Sequence, residues 1–366
     1  MAGAAEETQA GGVSVVEPRL DAKPWGGRRL ERYGFDLPRG ETIGEALVTA
    51  GEAMITAGAG TGRSLADIVR TDPEGALGAV AREAVRGRAI FPLLVKLIDA
   101  QENLSIQVHP NDEQAASRDR LGKTEAWHVL TAEPGSSLYL GLQQGVSLEE
   151  LQAAAQRLDG ASAALLRKVP AVPNTTVLIP AGTVHALGAG VMVYEIQQPS
   201  DVTFRMDDWG RVDAQGNPRE MHLDEGFVVM NPTLRPELID PVDLAAREGR
   251  RHMLVACRHF ALERVALPGG GRYTMPGHAS SQVVTVLEGA ATVGSERLGA
   301  GQSAVMWPGR METVLEAVRP MVALRGWVPD LAADFPVLTR RAAIDVSTLA
   351  TLSGLLPDVR AALELQ

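Results

Sequence analysis

The 366-residue chain has a single cysteine, Cys257. That excludes an intrachain disulfide and any cysteine-rich zinc site, and it suits a reducing compartment. Long apolar runs are missing: the most hydrophobic windows, such as 89–100, are short and interrupted by Lys96, far below the ~20 apolar residues a membrane helix needs. An excess of positive charge is missing too. Thirty-five Lys and Arg against 45 Asp and Glu give a formal charge of −10, which argues against a protein that coats nucleic acid or an anionic membrane. A local cluster of Arg and Lys can still receive an anionic substrate. The first residues, MAGAAEETQAGG, carry acidic side chains and no apolar h-region, so a flexible tail over 1–12 and no secretory signal are expected. The expectation is a cytoplasmic protein with neither membrane nor nucleic-acid partners.

What is present is enough material for a core, with 45% hydrophobic and 22% charged residues, and two domains are the natural reading of this length. Thirty-eight Gly and 22 Pro punctuate the chain, which disfavours an all-helical fold and suits many short strands. Strand-like runs bounded by Gly, Pro or Asp lie at 14–17, 46–56, 91–98, 104–108, 126–130, 177–180 and 191–196. Helical insertions are expected near 64–88 and 147–168, the second opened by Ser147 and Glu150 at capping-box spacing. The mainly β first domain, of sandwich or barrel type, is thus predicted over 13–208. A polar, irregular stretch at 209–250 reads as a linker or excursion. A second β domain follows over 251–330, in which LEGAATVG reads as strand, turn, strand, and a helical extension over 331–366.

Three strings carry chemistry. In LSIQVHP, Gln107 and His109 are two residues apart on a predicted strand and leave the same face. In GKTEAW, Lys123 and Glu125 share a face by the same period. In VLIPAGTVHAL, a turn through Pro180 and Gly182 delivers His185 onto the next strand. One histidine in a sheet is usually structural, but two imidazoles, a carboxylate and an amide oxygen from three strands form a donor set suited to Zn²⁺ with positions left open for substrate. His128, His222, His252, His259 and His278 lack such spacing and read as structural, and Cys257 reads as a small buried hydrophobe.

Those strings stand in order with KPWGGRRL at 23–30, IGEA at 43–46, FPLLVKLIDA, and YEIQQPSDVTFRMDDWGR at 194–211. Together they resemble the type I phosphomannose isomerases of the cupin superfamily, over about 13–330. The resemblance implies two cupin (jelly-roll) β-barrel domains and interconversion of mannose 6-phosphate and fructose 6-phosphate through a cis-enediol, with one Zn²⁺ per chain. It puts the metal ligands on Gln107, His109, Glu125 and His185, and the catalytic arginine on Arg205. Ser105, Lys123, Glu195 and Asp201 match further active-site positions, Arg211 a second basic one, and Trp25 and Glu45 substrate-binding ones. The proton-transfer base is then Glu195, Asp201 or a deprotonated Lys123. A purely structural Arg205 would instead pair with Asp201, Asp207 or Asp208. Asp207 and His128 stand where the family has aromatics, and they are expected to change the lining of the pocket. The second barrel lacks a His and Glu set, so packing is its expected role. An isomerase of another phosphorylated aldose and a non-catalytic sugar-phosphate-binding bicupin are the competing readings. Oligomeric state is not legible.

Overall fold

The computed structural model describes residues 12–212, 215–342 and 344–364; the expected N-terminal tail therefore lies almost wholly outside the described residues. The chain is mainly β, with three antiparallel sheets. Seven strands form one sheet in the order Leu238–Ile239, Thr176–Ile179, Glu125–Ala132, Val191–Gln197, Leu94–Ala100, Arg19–Gly27 and Ile43–Leu47. Five form a second: Phe204–Asp207, Ile106–Val108, His185–Leu187, Ser137–Leu142 and Leu166–Pro170. The third, of ten strands, is built chiefly from residues after 240.

The central strand Val191–Gln197 shows why the layers stack as they do. It is buried along its whole length, so its two faces serve two cores. Val191 and Val193 join Trp127, Val129 and Leu140 between the seven- and five-stranded sheets. Met192, Tyr194 and Ile196 join Leu262, Val283 and Trp327 between the seven- and ten-stranded sheets. Glu195 shares the face of Val193, so period two aims a carboxylate into the space between the first two sheets.

Several boundaries differ from expectation for physical reasons. The insertion at 64–88 is two helices, Leu65–Thr71 under a Ser64 capping box and Pro73–Ala84 under an Asp72 cap, because a proline starts a helix well but cannot continue one. The second insertion is helical over Leu148–Ala155, where the Ser147–Glu150 capping box does form, and again in a short 3-10 helix over Ala161–Leu165; Leu166–Pro170 pairs with Ser137–Leu142 and is a strand. LEGAATVG is not two strands: Gln282–Val293 runs through it, with the register shifts of a bulge around Gly289, φ +81°. The stretch read as a linker holds the helix Leu223–Val229 and two short strands. Helices do occupy the C-terminal segment, at Leu331–Ala342, Val346–Ala350 and Asp358–Glu364.

The unit expected over 13–208 is crossed by its own first strand. Val13–Glu17 pairs with Ser303–Met306, Val13 opposite Met306, and with Met54–Gly58 on its other side. Trp307 Nε1 donates to Ser14 Oγ at 2.7 Å across the junction.

His128 sits on the opposite face of its strand from Trp127, fully buried, with Nδ1 2.9 Å from Thr176 Oγ1. Burial, with Arg264 nearby, pushes its pKa down to about 3. Below the ordinary value of 6.5 the unfolded chain takes up a proton that the folded one refuses, so stability falls as pH falls, by about 1.4 kcal/mol per pH unit. His128→Asn should flatten the decline of melting temperature between pH 6.5 and 5; an unchanged slope would show that this residue does not govern it.

Candidate active site

The three strings converge between the seven- and five-stranded sheets. His185 begins a strand that pairs with Ile106–Val108, directly opposite Gln107, while Glu125 opens the facing strand Glu125–Ala132. His109, Glu125 and His185 are essentially inaccessible to solvent, and their ligating atoms lie within 4.8 Å of one another. His109 Nε2 is 3.4 Å from Glu125 Oε2, and His185 Nε2 is 3.2 Å from Glu125 Oε1. Gln107 Nε2 lies 3.3 Å from His185 Nε2, and half a turn of that amide presents its oxygen to the same point.

The turn before His185 is set by Gly182, φ +88°, and by Thr183 Oγ1 donating to Pro180 O at 2.7 Å. The N–H of Gly182 donates to His109 O at 2.8 Å, which joins the two histidine loops. Each imidazole is then oriented by a backbone carbonyl: Nδ1 of His109 meets Val202 O at 2.9 Å, and Nδ1 of His185 meets Thr183 O at 2.8 Å. With Nδ1–H committed, both Nε2 lone pairs face Glu125, the tautomer a metal ligand needs. Burial, followed by the neighbouring Lys123 charge, pushes His109 down to about 3, so it stays neutral. Burial alone would raise Glu125, but the Lys123 ammonium beside it holds it well below the usual carboxylate range.

The donor chemistry fits a divalent cation. Glu125 Oε1 is buried and accepts no hydrogen bond, an expensive omission for a carboxylate oxygen unless something positive faces it. The Lys123 ammonium sits at this cluster, bonded to Glu125 Oε2 and 3.0 Å from His109 Nε2. The described residues thus already gather a cation where a metal would be held.

Above the cluster opens a cavity of about 400 Å³, in the size range of small-molecule sites. Trp25, Glu45, Ser105, Gln107, Lys123, Glu195, Asp201 and Arg205, all anticipated from sequence, line it. The lining holds six basic side chains to four acidic ones, the reverse of the chain's net charge. Glu195 receives Trp127 Nε1 on Oε2 at 2.8 Å and faces Lys96 Nζ at 3.1 Å from Oε1. Lys96 also lies 3.7 Å from Glu45, whose other oxygen is 3.1 Å from Lys23. Charges therefore alternate across the sheet. Burial disfavours the Lys96 ammonium, yet Glu195 and Glu45 raise its pKa above normal. Burial likewise favours neutral Glu45, while Lys96 and Lys23 hold it below its ordinary value.

Arg211, Asp207 and His128 do not line this cavity, and Asp201 lies at its rim. Asp201 is an exposed rim residue, 3.6 Å from Arg120. Arg211 does not line the cavity; it is tied to Asp208 and to Asn103 O. Its place is taken by Arg219, which lines the cavity and is bonded to the same Asp208. Arg205 makes no direct ion pair with Asp201, Asp207 or Asp208; its Nη1 donates to Glu220 O at 2.6 Å, and its buried Nε has no partner. Burial and then Arg219 lower the Arg205 pKa, the mark of a cation cluster with too few counterions. Asp207 and His128 do not line the pocket: Asp207 is buried beneath the N–H groups of Gly160 and Trp209, and His128 points the other way.

Sequence reasoning missed Lys96 and Arg219. Lys96 left a signal, a lone lysine in the apolar run FPLLVKLIDA. Arg219 left none, since an irregular segment carries it to the site.

Buried ligating groups beneath a cation-rich cavity, reached from outside, have the construction of an enzyme. Comparison with known proteins gives the family. The model of the phosphomannose isomerase type I catalytic domain matches residues 15–128. A mannose-6-phosphate isomerase of Streptococcus mutans is 32% identical over 288 residues, 77% of this chain and 87% of that protein. Mannose-6-phosphate isomerase ManA of Bacillus subtilis is 34% identical over 207 residues, 54% of this chain and 62% of that protein. The crystal structure of the mannose 6-phosphate isomerase from B. subtilis superposes with a TM-score of 0.74 at 26% identity, covering 86% of this chain and 99% of that one. The chain belongs to the type I phosphomannose isomerase family and is an aldose–ketose isomerase.

Proposed function

We propose that the chain interconverts mannose 6-phosphate and fructose 6-phosphate through a cis-enediol, with one Zn²⁺ held by Gln107, His109, Glu125 and His185. The observation that carries this reading is the buried Glu125 carboxylate, one oxygen unpartnered, set against two oriented imidazoles under a cavity whose cations outnumber its anions. The bound metal would supply Lewis acidity at the substrate oxygens on C1 and C2.

The chain's own groups do the rest. Arg205 and Arg219 offer fixed positive charge to the phosphate and to the enediolate oxygens. Holding the phosphate restrains the sugar for the chemical step. Proton transfer falls to Glu195 rather than Asp201, because Glu195 is buried in the cavity wall while Asp201 is an exposed rim group paired with Arg120. Its carboxylate takes the proton from C2 of the aldose and returns it to C1 on the same face, while the proton of the C2 hydroxyl passes to the C1 oxygen; Lys96 and Trp127 fix the direction of Glu195. Lys123, bonded to Glu125, serves as a cation at the floor. Trp25 and Ser105 bound the sugar.

The same reading takes the seven- and five-stranded sheets as the catalytic jelly-roll barrel and the ten-stranded sheet as the second cupin, without metal. Among the described residues no helix is long and apolar enough to cross a membrane, and the fully buried Cys257 thiol suits a reducing cytoplasm.

A coupled assay of mannose 6-phosphate turnover, run before and after chelation and Zn²⁺ return, tests the reading. Activity should vanish with chelator and reappear with metal. Turnover that survives complete metal removal overturns the metal assignment, and a preference for another aldose phosphate overturns the substrate. Arg219→Ala should raise KM by about 10-fold or more, the value of a lost charge-assisted contact, with less effect on kcat. An unchanged KM would remove Arg219 from the phosphate site.

A further inference from the structure

The ten-stranded sheet holds a second cavity, of about 470 Å³, which shares no lining residue with the first. Its floor is Glu263, which is 0% exposed and directly opposite Arg325 on the neighbouring strand. Glu263 Oε1 receives Arg251 Nε at 2.5 Å; Oε2 receives Arg325 Nη1 at 3.0 Å and the Tyr273 hydroxyl at 3.3 Å. Arg325 Nε donates to Gln282 Oε1 at 2.7 Å. The two guanidinium groups also stack, Arg251 at 4.0 Å from the Tyr273 ring centre and Arg325 at 4.3 Å from that of Trp327. Both planes are therefore fixed by stacking and by bonds within the plane.

Two cations share one buried anion, and Nη2 of each arginine donates to no described residue. The remaining acids do not answer them: Asp334 Oδ2 is taken by His278 Nε2 at 2.9 Å and Trp327 Nε1 at 3.4 Å, and Glu312 is exposed. The open groups in the cavity are thus guanidinium edges, which match an oxyanion. The walls are of another kind. Met253, with Phe335 and Leu338 of the helix Leu331–Ala342, forms an apolar part of the lining that offers no partner to hydroxyl groups, beside the polar Thr274 and His278, so a sugar laid against that part would lose hydrogen bonds.

We propose that this cavity binds a small monocarboxylate with an apolar body, the carboxylate on the Nη2 edges of Arg251 and Arg325 and the body against Met253, Phe335 and Leu338. The site would give the second sheet a ligand of its own, beyond packing.

Titration calorimetry of the full-length protein with benzoate tests this. One saturable site is expected. Val337→Trp fills the cavity without touching the ion network and should weaken binding by at least about 10-fold, while melting temperature and isomerase turnover persist. Arg251→Met should do the same to binding, whereas Arg205→Ala, in the other cavity, should leave it intact. The proposal falls if benzoate does not bind saturably, if Val337→Trp binds it as well as the parent, or if Arg205→Ala abolishes binding. It also falls if inorganic phosphate competes at the Arg251-dependent site with equal strength, since the apolar body would then contribute nothing.

Discussion

Glu125→Gln is expected to empty the site of metal and to lower kcat by on the order of 10³-fold or more, the scale of losing the main electrostatic stabiliser of a developing oxyanion. The glutamine keeps the shape of the side chain and an oxygen for the Lys123 ammonium, so the fold has little to lose. What disappears is the negative charge against which the two imidazoles are oriented. Elemental analysis of the purified variant should show near-zero bound metal where the parent holds one equivalent, and its melting temperature should stay close to that of the parent. A variant that retains both full metal and full turnover would sink the assignment of Glu125 as a ligand.

Lys96→Met should be almost as damaging, by a different route. The ammonium stands between Glu195 and Glu45, its side chain only 12% exposed. Removing it leaves two carboxylates facing each other in a partly desolvated wall, a loss of about 3 kcal/mol or more that the chain relieves by protonating one of them. If Glu195 carries the proton, kcat should fall by on the order of 10²-fold with little change in KM, as when a positioning partner of a reactive group is lost. Adding Glu45→Gln should recover part of the melting temperature but not the turnover, because it removes the repulsion without restoring the orientation of Glu195. Undiminished kcat in the single variant would mean that Lys96 does not hold Glu195 for catalysis.

The residues legible in the sequence are those whose chemistry rests on local spacing. Gln107 with His109 and Lys123 with Glu125 are spaced as on a strand and do meet at one point, although His109 lies just past the strand Ile106–Val108 and Lys123 just before Glu125–Ala132, and the turn before His185 is written in a proline and a glycine. The Ser147 capping box formed for the same reason. Features that depend on what a segment packs against were harder to see. Leu166–Pro170 is too short and too irregular in burial to be told from the end of a helix until its neighbour Ser137–Leu142 is in place. Arg211 and Arg219 are chemically alike and both bonded to Asp208; which of them faces the cavity depends on the path of the chain between them. His128 stands where the resemblance places an aromatic, which points to the pocket lining, yet it neighbours Trp127 on a strand and so faces the other way.

The first strand has a bearing on how the molecule is made. Val13–Glu17 precedes its partner Ser303–Met306 by almost three hundred residues, and Trp307 reaches Ser14 across 293 positions. Such a contact closes a very long loop and is entropically expensive to form first. The N-terminal strand must therefore wait with an exposed hydrogen-bonding edge while most of the chain is synthesised, the circumstance in which a strand is most open to capture by another chain. Loss of the C-terminal sheet would strand that edge permanently, so a truncation far from the metal site should yield an aggregating protein instead of a smaller enzyme.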